Sequence, residues 1–423
     1  MVVQRKMVEM PVLAPESEWV KDVDVEALER DFKALGKKYE TQQGEADAKH
    51  LKKIMFFANG FQFVGWLLLW MHPVYMLPSV FYALGTFARW TMVGHHVSHG
   101  GYNNVFSKQS RFQRFRFAVG SVFNRLRDWP DWMLPEAWDI EHNHYHHYSL
   151  NEDDDPDLVE RNLDYIRSMD APTWLKYGIV AFLACTWKWF YYSVNTFVLL
   201  KTHMENCTLP GKNFFTLDAF LTGLIPKVVP FSSYFLRVMA PYLAYCFFLL
   251  PLPLLLGASF LADYSPEMAG WCSTAYKHAI VNMVVADVLT NVHAFIVITT
   301  NHAGMDMYRY KTHCRPLSAS FYIRAIVSSA NYSAGTDTID FLHGWLNYQV
   351  EHHCFPKLSM LSYQRMMPEV KELAKRHGIP YTQESVWVRL KKTVDSMVGS
   401  TTMRQMPLEW EQYLNHDLLV VKK

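Results

Sequence analysis

Two long apolar runs separated by only three residues constrain this chain more than any other feature of its sequence. The runs cover Ile54–Met71 and Tyr75–Met92, and the link between them is His72-Pro73-Val74. A helix needs about 20 mostly apolar residues to cross a bilayer, so each run is long enough to span one. Because the link is so short, the second helix must return beside the first. The sequence therefore predicts a transmembrane helical hairpin.

Three later apolar stretches differ in what they predict. Tyr177–Leu200 carries Lys188 at its middle, and a charge at mid-membrane is expensive, so we expect an interfacial or re-entrant helix there. Val238–Ala262 contains three prolines and should be a kinked span, and Lys277–Thr300 should cross back. Residues 263–276, between these two stretches, include acidic side chains but no lysine or arginine. That composition is expected of a non-cytosolic loop.

These segments predict an all-α integral membrane protein with four transmembrane helices in two hairpins and a cytosolic helical cap. Half of the residues are hydrophobic, but they are gathered into runs between polar sections. The arginine-rich section 94–176 should be cytosolic, and so should both termini. We expect a tail at 1–50 with an amphipathic helix, a membrane domain at 51–365 and a cytosolic C-terminal region at 366–423. The helical stripe of the tail is Val25, Leu28, Phe32, Leu35 and Tyr39.

Charge and cysteine usage exclude several classes of protein. The formal net charge is only +1, and no basic patch is interleaved with base-stacking aromatic residues, so we expect no nucleic-acid partner. The six cysteines are scattered without paired spacing, which argues against a disulfide framework or a thiolate zinc site. No cleavable signal peptide is predicted, and the endoplasmic reticulum is the expected membrane for a eukaryotic protein.

Histidines cluster in the polar sections that follow the apolar runs. His95 and His99 are four residues apart, so they share one helix face directly after the second run. The stretch 141–157 holds four histidines within six positions, with His142 and His146 on one face, His147 adjacent and His144 roughly opposite. Contact with lipid headgroups, or a solvated loop, is the alternative for each cluster taken alone.

The third cluster places Gln349, His352 and His353 at i, i+3 and i+4 on one helix face. His302 emerges at the end of the last run, on the side of the membrane where the clusters lie. A structural zinc site closes with four ligands, whereas eight imidazoles fit two metals, and imidazole suits iron. The eight candidates are His95, His99, His142, His146, His147, His302, His352 and His353.

The three clusters together resemble the three histidine boxes of the membrane fatty-acid desaturase superfamily, which includes related hydroxylases. Residues 95–99 are similar to its HxxxH first box. Gln349–His353, followed by Cys354-Phe355-Pro356, resembles the QxxHH third box of front-end desaturases. His302 occupies the place of the additional histidine of that superfamily between the second and third boxes.

The second box departs from that pattern. The usual spacing is HxxHH, whereas His142, His146 and His147 give HxxxHH, which is similar to alkane-hydroxylase-type members. The acids around Pro156 are similar to those of other acyl desaturases. Front-end members commonly carry a fused cytochrome b5 domain with His-Pro-Gly-Gly, but here His72-Pro73 is followed by valine, so we expect an external electron donor.

The resemblance implies a diiron centre that uses O2 to introduce a double bond into a long-chain acyl lipid or acyl-CoA. Electrons would come from a separate carrier such as cytochrome b5 or ferredoxin. Candidates for further metal ligands, or for residues that orient the ligands, are His96, His144, Gln349, Asn301 and Asp155. Other candidates for orienting the imidazoles are Glu141, Asn143, Asn151, Asp340 and Glu351. Trp138, Trp345 and Tyr348 are candidates for the acyl-chain tunnel, with packing in a core as the alternative.

Two other functions remain open from the sequence. A hydroxylase could use the same diiron site, and the HxxxHH spacing is the main reason to consider it. A membrane zinc-binding or metal-transport protein is a more distant alternative, because it would place coordinating residues within the spans.

Overall fold

A computed structural model describes residues 6–7, 10–204, 231–415 and 418–419, and this part of the chain is mainly helical. Its α-helices, numbered within the described residues, are α1 (Val25–Gln42), α2 (Glu45–Leu67), α3 (Leu77–Ala88), α4 (His95–Ser98), α5 (Val122–Asp128), α6 (Pro135–Trp138), α7 (Val159–Asn162), α8 (Asp164–Ser168), α9 (Thr173–Trp187), α10 (Ser193–Met204), α11 (Phe231–Tyr234), α12 (Ala240–Ala244), α13 (Leu252–Leu261), α14 (Pro266–Ile298), α15 (Ala319–Val327), α16 (Asp337–Leu342), α17 (Gln349–Cys354), α18 (Met360–Arg376), α19 (Val386–Met397) and α20 (Leu408–Leu414).

Short irregular helices and strands join these elements. The π-helical segments are Arg89–Gly94, Asp139–Tyr145, Lys188–Tyr192, Phe235–Met239 and Tyr245–Leu249, and the 3₁₀ turns are Pro15–Asp22, Pro73–Tyr75, His146–Tyr148, Thr299–Asn301 and Leu346–Tyr348. In the part of the chain that the structure describes, three parallel strand pairs join segments that are distant in sequence. They join β1 (Lys6–Met7) to β6 (Leu418–Leu419), β2 (Tyr308–Arg309) to β5 (Arg404–Gln405), and β3 (Asn331–Tyr332) to β4 (Gln383–Glu384).

The helical hairpin is confirmed as the packed helices α2 and α3, although neither helix by itself meets the length and hydropathy expected of a membrane span. Glycines set how closely they approach, because a Cβ on Gly65 would lie 2.6 Å from the backbone nitrogen of Tyr82. The polar residues 45–53 belong to the same helix as the apolar run, so α2 begins nine residues before Ile54 and ends at Leu67. The hairpin therefore carries a polar extension into the cap.

Within the described residues, one helix meets the length and hydropathy expected of a membrane span, Pro266–Asn301. The pair Phe231–Leu249 and Leu252–Leu261 meets them together, with a bend of 45° at the break. The kinked helix and the return helix were both predicted. The loop predicted at 263–276 is wrong, because α14 begins at Pro266, where proline suits the first turn of a helix.

The stretch around Lys188 is a helix from Thr173 to Met204, interrupted by the π-helical segment 188–192. Lys188 is fully buried, and its ammonium lies 3.2 Å from a carboxylate oxygen of Asp131. It also lies 5.5 Å from the ring centre of Trp90. The charge that argued against a simple span is therefore paired inside the protein.

The amphipathic helix of the tail packs on the folded core. Its first-turn cap is Asp24, which accepts a hydrogen bond from the Ala27 amide at 3.0 Å. All five residues of the predicted stripe are buried, and Phe32 stacks on Tyr322 and on Phe355, two residues after the third histidine cluster. This helix therefore supports the cap from outside the histidine cluster.

The last part of the chain contributes the helices α18 and α19. Gly378 stands between them with φ of +68°, a conformation that favours glycine. Strand β4 follows and pairs with β3, which holds α18 and α19 against the segment after α14. The cap is thus built from both ends of the chain around the histidine clusters.

Candidate metal centre

The first histidine cluster follows directly from the hairpin. The π-helical segment Arg89–Gly94 leads from α3 into α4, and His95, His96 and His99 are all buried. Gly94 is needed here, because a Cβ at that position would lie 2.9 Å from the Trp129 ring. The close contact lets the indole pack directly against the backbone that presents the cluster.

The second cluster uses a change of helical pitch. Residues 139–145 form a π-helical segment and residues 146–148 a 3₁₀ turn. A π-turn accommodates one residue more than an α-turn. His142, His146 and His147 are therefore all buried, although their HxxxHH spacing is one residue wider than HxxHH.

The third cluster is positioned by a left-handed turn. Gly344 and Trp345 have φ of +64° and +57°, and a Cβ on Gly344 would lie 2.5 Å from the Thr91 hydroxyl. This contact seats the turn on the π-helical segment Arg89–Gly94, which leads into the first cluster. Helix α17 then brings Gln349, His352 and His353 inward, and all three are buried.

The eight predicted histidines converge into two groups. In each group, one possible ligand atom per residue lies within 4.8 Å of all the others. The larger group combines residues of all three clusters, and the smaller combines His302 with one residue each of the second and third clusters. The larger group is His95, His99, His142, His147 and His352, and the smaller is His146, His302 and His353.

Imidazole nitrogens face one another in the larger group. The Nε2 atom of His95 lies 2.9 Å from Nε2 of His352 and 3.1 Å from Nε2 of His142. One Nε2–H can donate to a single neighbouring Nε2. When one Nε2 faces two others, their hydrogen-bonding needs cannot all be met by the imidazoles alone. A cation that accepts their lone pairs resolves the arrangement, so the donor set fits transition-metal ions held by neutral imidazole.

Burial keeps most of these imidazoles uncharged. It lowers the pKa of His302 to about 3, and neighbouring imidazoles add to the effect. His146 differs, because burial lowers its pKa but the Asp155 carboxylate outweighs burial and the net shift is upward. For the other six histidines the pKa is well below the ordinary value, mainly because they are buried and to a smaller extent because other imidazoles are near. They are His95, His99, His142, His147, His352 and His353.

Acid should therefore destabilise the metal-free protein. Burial lowers the pKa of His96 to about 4 and of His302 to about 3, whereas an unfolded chain titrates near the ordinary 6.5. As pH falls below about 6.5 the unfolded state binds protons first, and each such histidine costs about 1.4 kcal/mol per pH unit until its folded pKa is reached. We expect the thermal midpoint of the chelator-treated protein to be flat above about pH 7 and to drop steeply below about pH 6. A midpoint independent of pH down to about pH 5 would contradict this.

Acceptors outside the groups orient several of the rings. The carboxylate of Asp155 accepts from His146 Nδ1 at 2.9 Å, and it also accepts from the Asn151 and Asp157 amides. The Thr91 carbonyl oxygen lies 3.2 Å from His95 Nδ1, and the Ser328 carbonyl oxygen lies 3.0 Å from His302 Nδ1. The Tyr363 hydroxyl lies 3.3 Å from His352 Nδ1. Such partners fix the tautomer that presents Nε2 to a metal.

A family model described as Fatty acid desaturase matches residues 68–385. The chain belongs to the fatty acid desaturase family. An NADPH-dependent stearoyl-CoA 9-desaturase from Mycobacterium tuberculosis is 23% identical over 386 residues, covering 88% of this chain and 79% of that protein. The Delta(5) fatty acid desaturase fat-4 of Caenorhabditis elegans is 34% identical over 85 residues, 20% of this chain and 18% of the relative. An acyl-lipid (9-3)-desaturase from Borago officinalis is 28% identical over 100 residues, 22% of each chain. The protein is thus an oxidoreductase of a family that is generally membrane associated.

Two residues beside the groups of this desaturase were not among the sequence-based metal ligands. Asp157 can form a third possible group with His142 and His146, and its carboxylate lies 3.9 Å from His146 Nδ1. Glu141 is buried, and burial together with the adjacent Asp157 carboxylate raises its pKa well above the ordinary value. The signal for Asp157 was its place two residues after Asp155, across the Pro156 turn.

The remaining candidates lie in different surroundings. Gln349 Nε2 is 3.0 Å from His302 Nε2, whereas His144 is exposed and contacts His203 instead. The second nitrogen of His96 is buried without a hydrogen-bond partner among the described residues. Trp138 stacks on His142 with ring centres 4.3 Å apart.

The other residues proposed from the sequence contact backbone carbonyls or side chains other than the imidazoles. Asn301 donates to the Leu346 carbonyl, Asn151 donates to the His302 carbonyl, and Asn143 donates to the Ser98 carbonyl. Trp345 packs on Tyr348, whose hydroxyl donates to Asp340 at 2.9 Å. Glu351 accepts from Asn331 and Tyr381.

Removing the carboxylate that orients His146 should weaken metal binding. We expect Asp155→Ala to lower metal affinity about 10–100-fold, the usual cost of losing such an outer partner. Competition with a chelator, read as metal per chain, measures this. Asp164→Asn, an exposed change on α8, is the control and should retain metal like the parent. Equal retention by Asp155→Ala would show that its carboxylate does not orient a ligand.

Proposed function

We propose that this desaturase is a membrane-bound diiron enzyme that uses O2 to introduce a double bond into a long-chain fatty acyl group. What supports the proposal most is the convergence of eight buried, mostly uncharged histidines into two adjacent groups. An unactivated methylene offers no acidic proton and no leaving group, so side chains alone cannot break its C–H bond. Iron with open coordination positions supplies that chemistry when it is bound.

The two groups would each hold one iron. His95, His99, His142, His147 and His352 would hold one ion. His146, His302 and His353 would hold the other, with Asp157 and Gln349 beside them. Asp155 keeps His146 in the tautomer that presents Nε2. The rest of the cap keeps bulk water away, because every one of the eight rings is less than 9% exposed.

The substrate would be a long acyl chain carried by coenzyme A or a lipid, as with the relatives whose names specify stearoyl-CoA or an acyl-lipid. Trp138 is the tunnel candidate with the most direct support, since its ring stacks on His142. Trp345 and Tyr348 remain predictions for the same role. Packing of aromatic rings alone accounts equally well for these two residues.

The membrane arrangement is part of the proposal. Four transmembrane helices in two hairpins would place the histidine groups on the cytosolic face, with both termini cytosolic and the endoplasmic reticulum as the membrane. The domain boundaries at 51–365 and 366–423 stay predictions. An external carrier such as cytochrome b5 or ferredoxin would deliver electrons.

Expression in a desaturase-deficient cell, with fatty-acid profiling by mass spectrometry, tests the function. A product that has lost two hydrogens supports desaturation, and a product that has gained one oxygen atom would establish a hydroxylase instead. The π-turn at 139–145 offers a structural account of the HxxxHH spacing, so that spacing alone does not favour hydroxylation. Metal analysis of the purified protein should find two irons per chain. About one zinc and no iron would overturn the proposal in favour of a zinc protein.

A further inference from the structure

Several of the eight histidines have a buried ring nitrogen without a hydrogen-bond partner among the described residues, and two of them, His147 and His353, stack on each other. Neither ring nitrogen of His147 has a hydrogen-bond partner within the described part of the chain, and neither does Nδ1 of His353. The other nitrogen of His353 faces Gln349 and the smaller group, so its Nδ1 points outward from that group. Both rings are at most 2% exposed. A buried N–H without an acceptor destabilises the fold, so such groups are normally satisfied.

Both histidines line the same cavity. Its walls include Glu152, Phe321, Arg324 and Ala325, and it has room for about one water molecule. A water molecule occupies about 30 Å³ in the liquid and needs two to four polar partners to be held in a buried site. The cavity offers such partners, because His147, His353 and the carboxylate-bearing Glu152 all line it.

A continuous polar connection leads from this cavity to the surface. Arg324 donates to Glu152 Oε1 at 2.6 Å, and the other carboxylate oxygen of Glu152 lies 2.5 Å from His313 Nδ1. The Glu152 side chain is 2% exposed, but that of His313 is 66% exposed. His313 also lies 3.3 Å from Asp154 at the surface. The contacts thus run from solvent through one buried carboxylate to the cavity that His147 and His353 also line.

We propose that this cavity binds ordered water that accepts hydrogen bonds from His147 and His353 and connects the metal groups to solvent through Glu152 and His313. The inference rests on the proposed function. Desaturation removes two hydrogens and two electrons from the acyl chain with the formation of a C=C bond. The external donor supplies two more electrons, and solvent must supply two protons, so that one O2 becomes two water molecules. Glu152 is a positioning and proton-carrying residue for that uptake.

Glu152→Gln tests the proton route, because it keeps the side-chain shape but removes the group that can pass a proton. We expect more donor electrons consumed per double bond than the two of a coupled reaction, and a larger solvent deuterium isotope effect. The matched control is Glu160→Gln, which removes an equally buried carboxylate that pairs with Arg309 and Arg167. The control should lose comparable stability but keep the parent coupling ratio.

Ala325→Leu tests the water site itself, independently of turnover. The added carbons should displace the water that satisfies His147 and His353, and iron affinity should fall about 10–100-fold in chelator competition. Ala374→Leu, an overpacked position in α18, controls for the general cost of a larger core side chain. This variant also keeps the proposal testable if Glu152→Gln does not fold.

The outcomes separate this inference from the proposed function. If the parent protein binds no iron or makes no double bond, the proposed function fails. If the parent is active and Ala325→Leu retains iron like Ala374→Leu, the water site is refuted. If Glu152→Gln keeps the coupling ratio and isotope effect of Glu160→Gln, the proton route is refuted. Density for water bonded to His147 and His353 in an experimental map of the iron-loaded enzyme would support the site directly.

Discussion

Replacing His352 with alanine is expected to abolish desaturation and to remove iron from the larger group. His352 Nε2 lies 2.9 Å from His95 Nε2, and its ring centre lies 4.6 Å from those of both His99 and His147. It is thus a shared neighbour of histidines from the other two clusters. Loss of an outer partner alone costs about 10–100-fold in affinity or activity, so loss of the ligand should reduce product by more than about 100-fold.

A matched control lies within the second cluster. His144 is exposed on the same π-helical segment as His142, and it contacts His203 and Tyr145 outside the two groups. We expect His144→Ala to keep parental product and two irons per chain, measured by fatty-acid profiling and metal analysis. A parental product level in His352→Ala would overturn the metal assignment. Loss of activity in both variants would contradict the placement of His144 outside the two histidine groups.

The parts of this molecule that the sequence predicted are those governed by local periodicity. The stripe from Val25 to Tyr39 repeats with helical spacing, and it is buried as one face of α1. The same reasoning separated His144 from His142 and His146. Spacing along one helix suffices for such predictions, since neighbours on a face are fixed by the backbone alone.

Features that depend on contacts between distant segments could not be predicted. The Thr91 and Ser328 carbonyls that accept from His95 and His302 carry no side-chain signal. The π-helical segment at 139–145 is a change of pitch, and a regular α-helix was assumed there. The partner of Lys188 lies 57 residues earlier, so the sequence showed an expensive charge but not the group that offsets it.

The pair between Lys188 and Asp131 should make the largest single contribution to stability that we can test. Lys188→Met leaves the Asp131 carboxylate buried without its cation, and breaking a buried pair in this way costs about 3–5 kcal/mol. Both side chains are fully buried, so water cannot solvate the unpaired Asp131 carboxylate. We expect a strongly lowered thermal midpoint in detergent, or loss of monodisperse protein if the parent is marginally stable.

The double variant Lys188→Met with Asp131→Leu separates charge from packing. Replacing both members of a buried pair by apolar residues of similar size is often neutral, so the double variant should recover most of the stability lost by Lys188→Met. Lys201→Met, on the following helix, is the control and should change the midpoint little. A double variant as unstable as the single one would mean that Lys188 acts through its packing on Trp90 and not through its charge. Recovery would show instead that the pair offsets the cost of a charge in an apolar helix. It would also explain how 173–204 can pack against α14 without Lys188 reaching water.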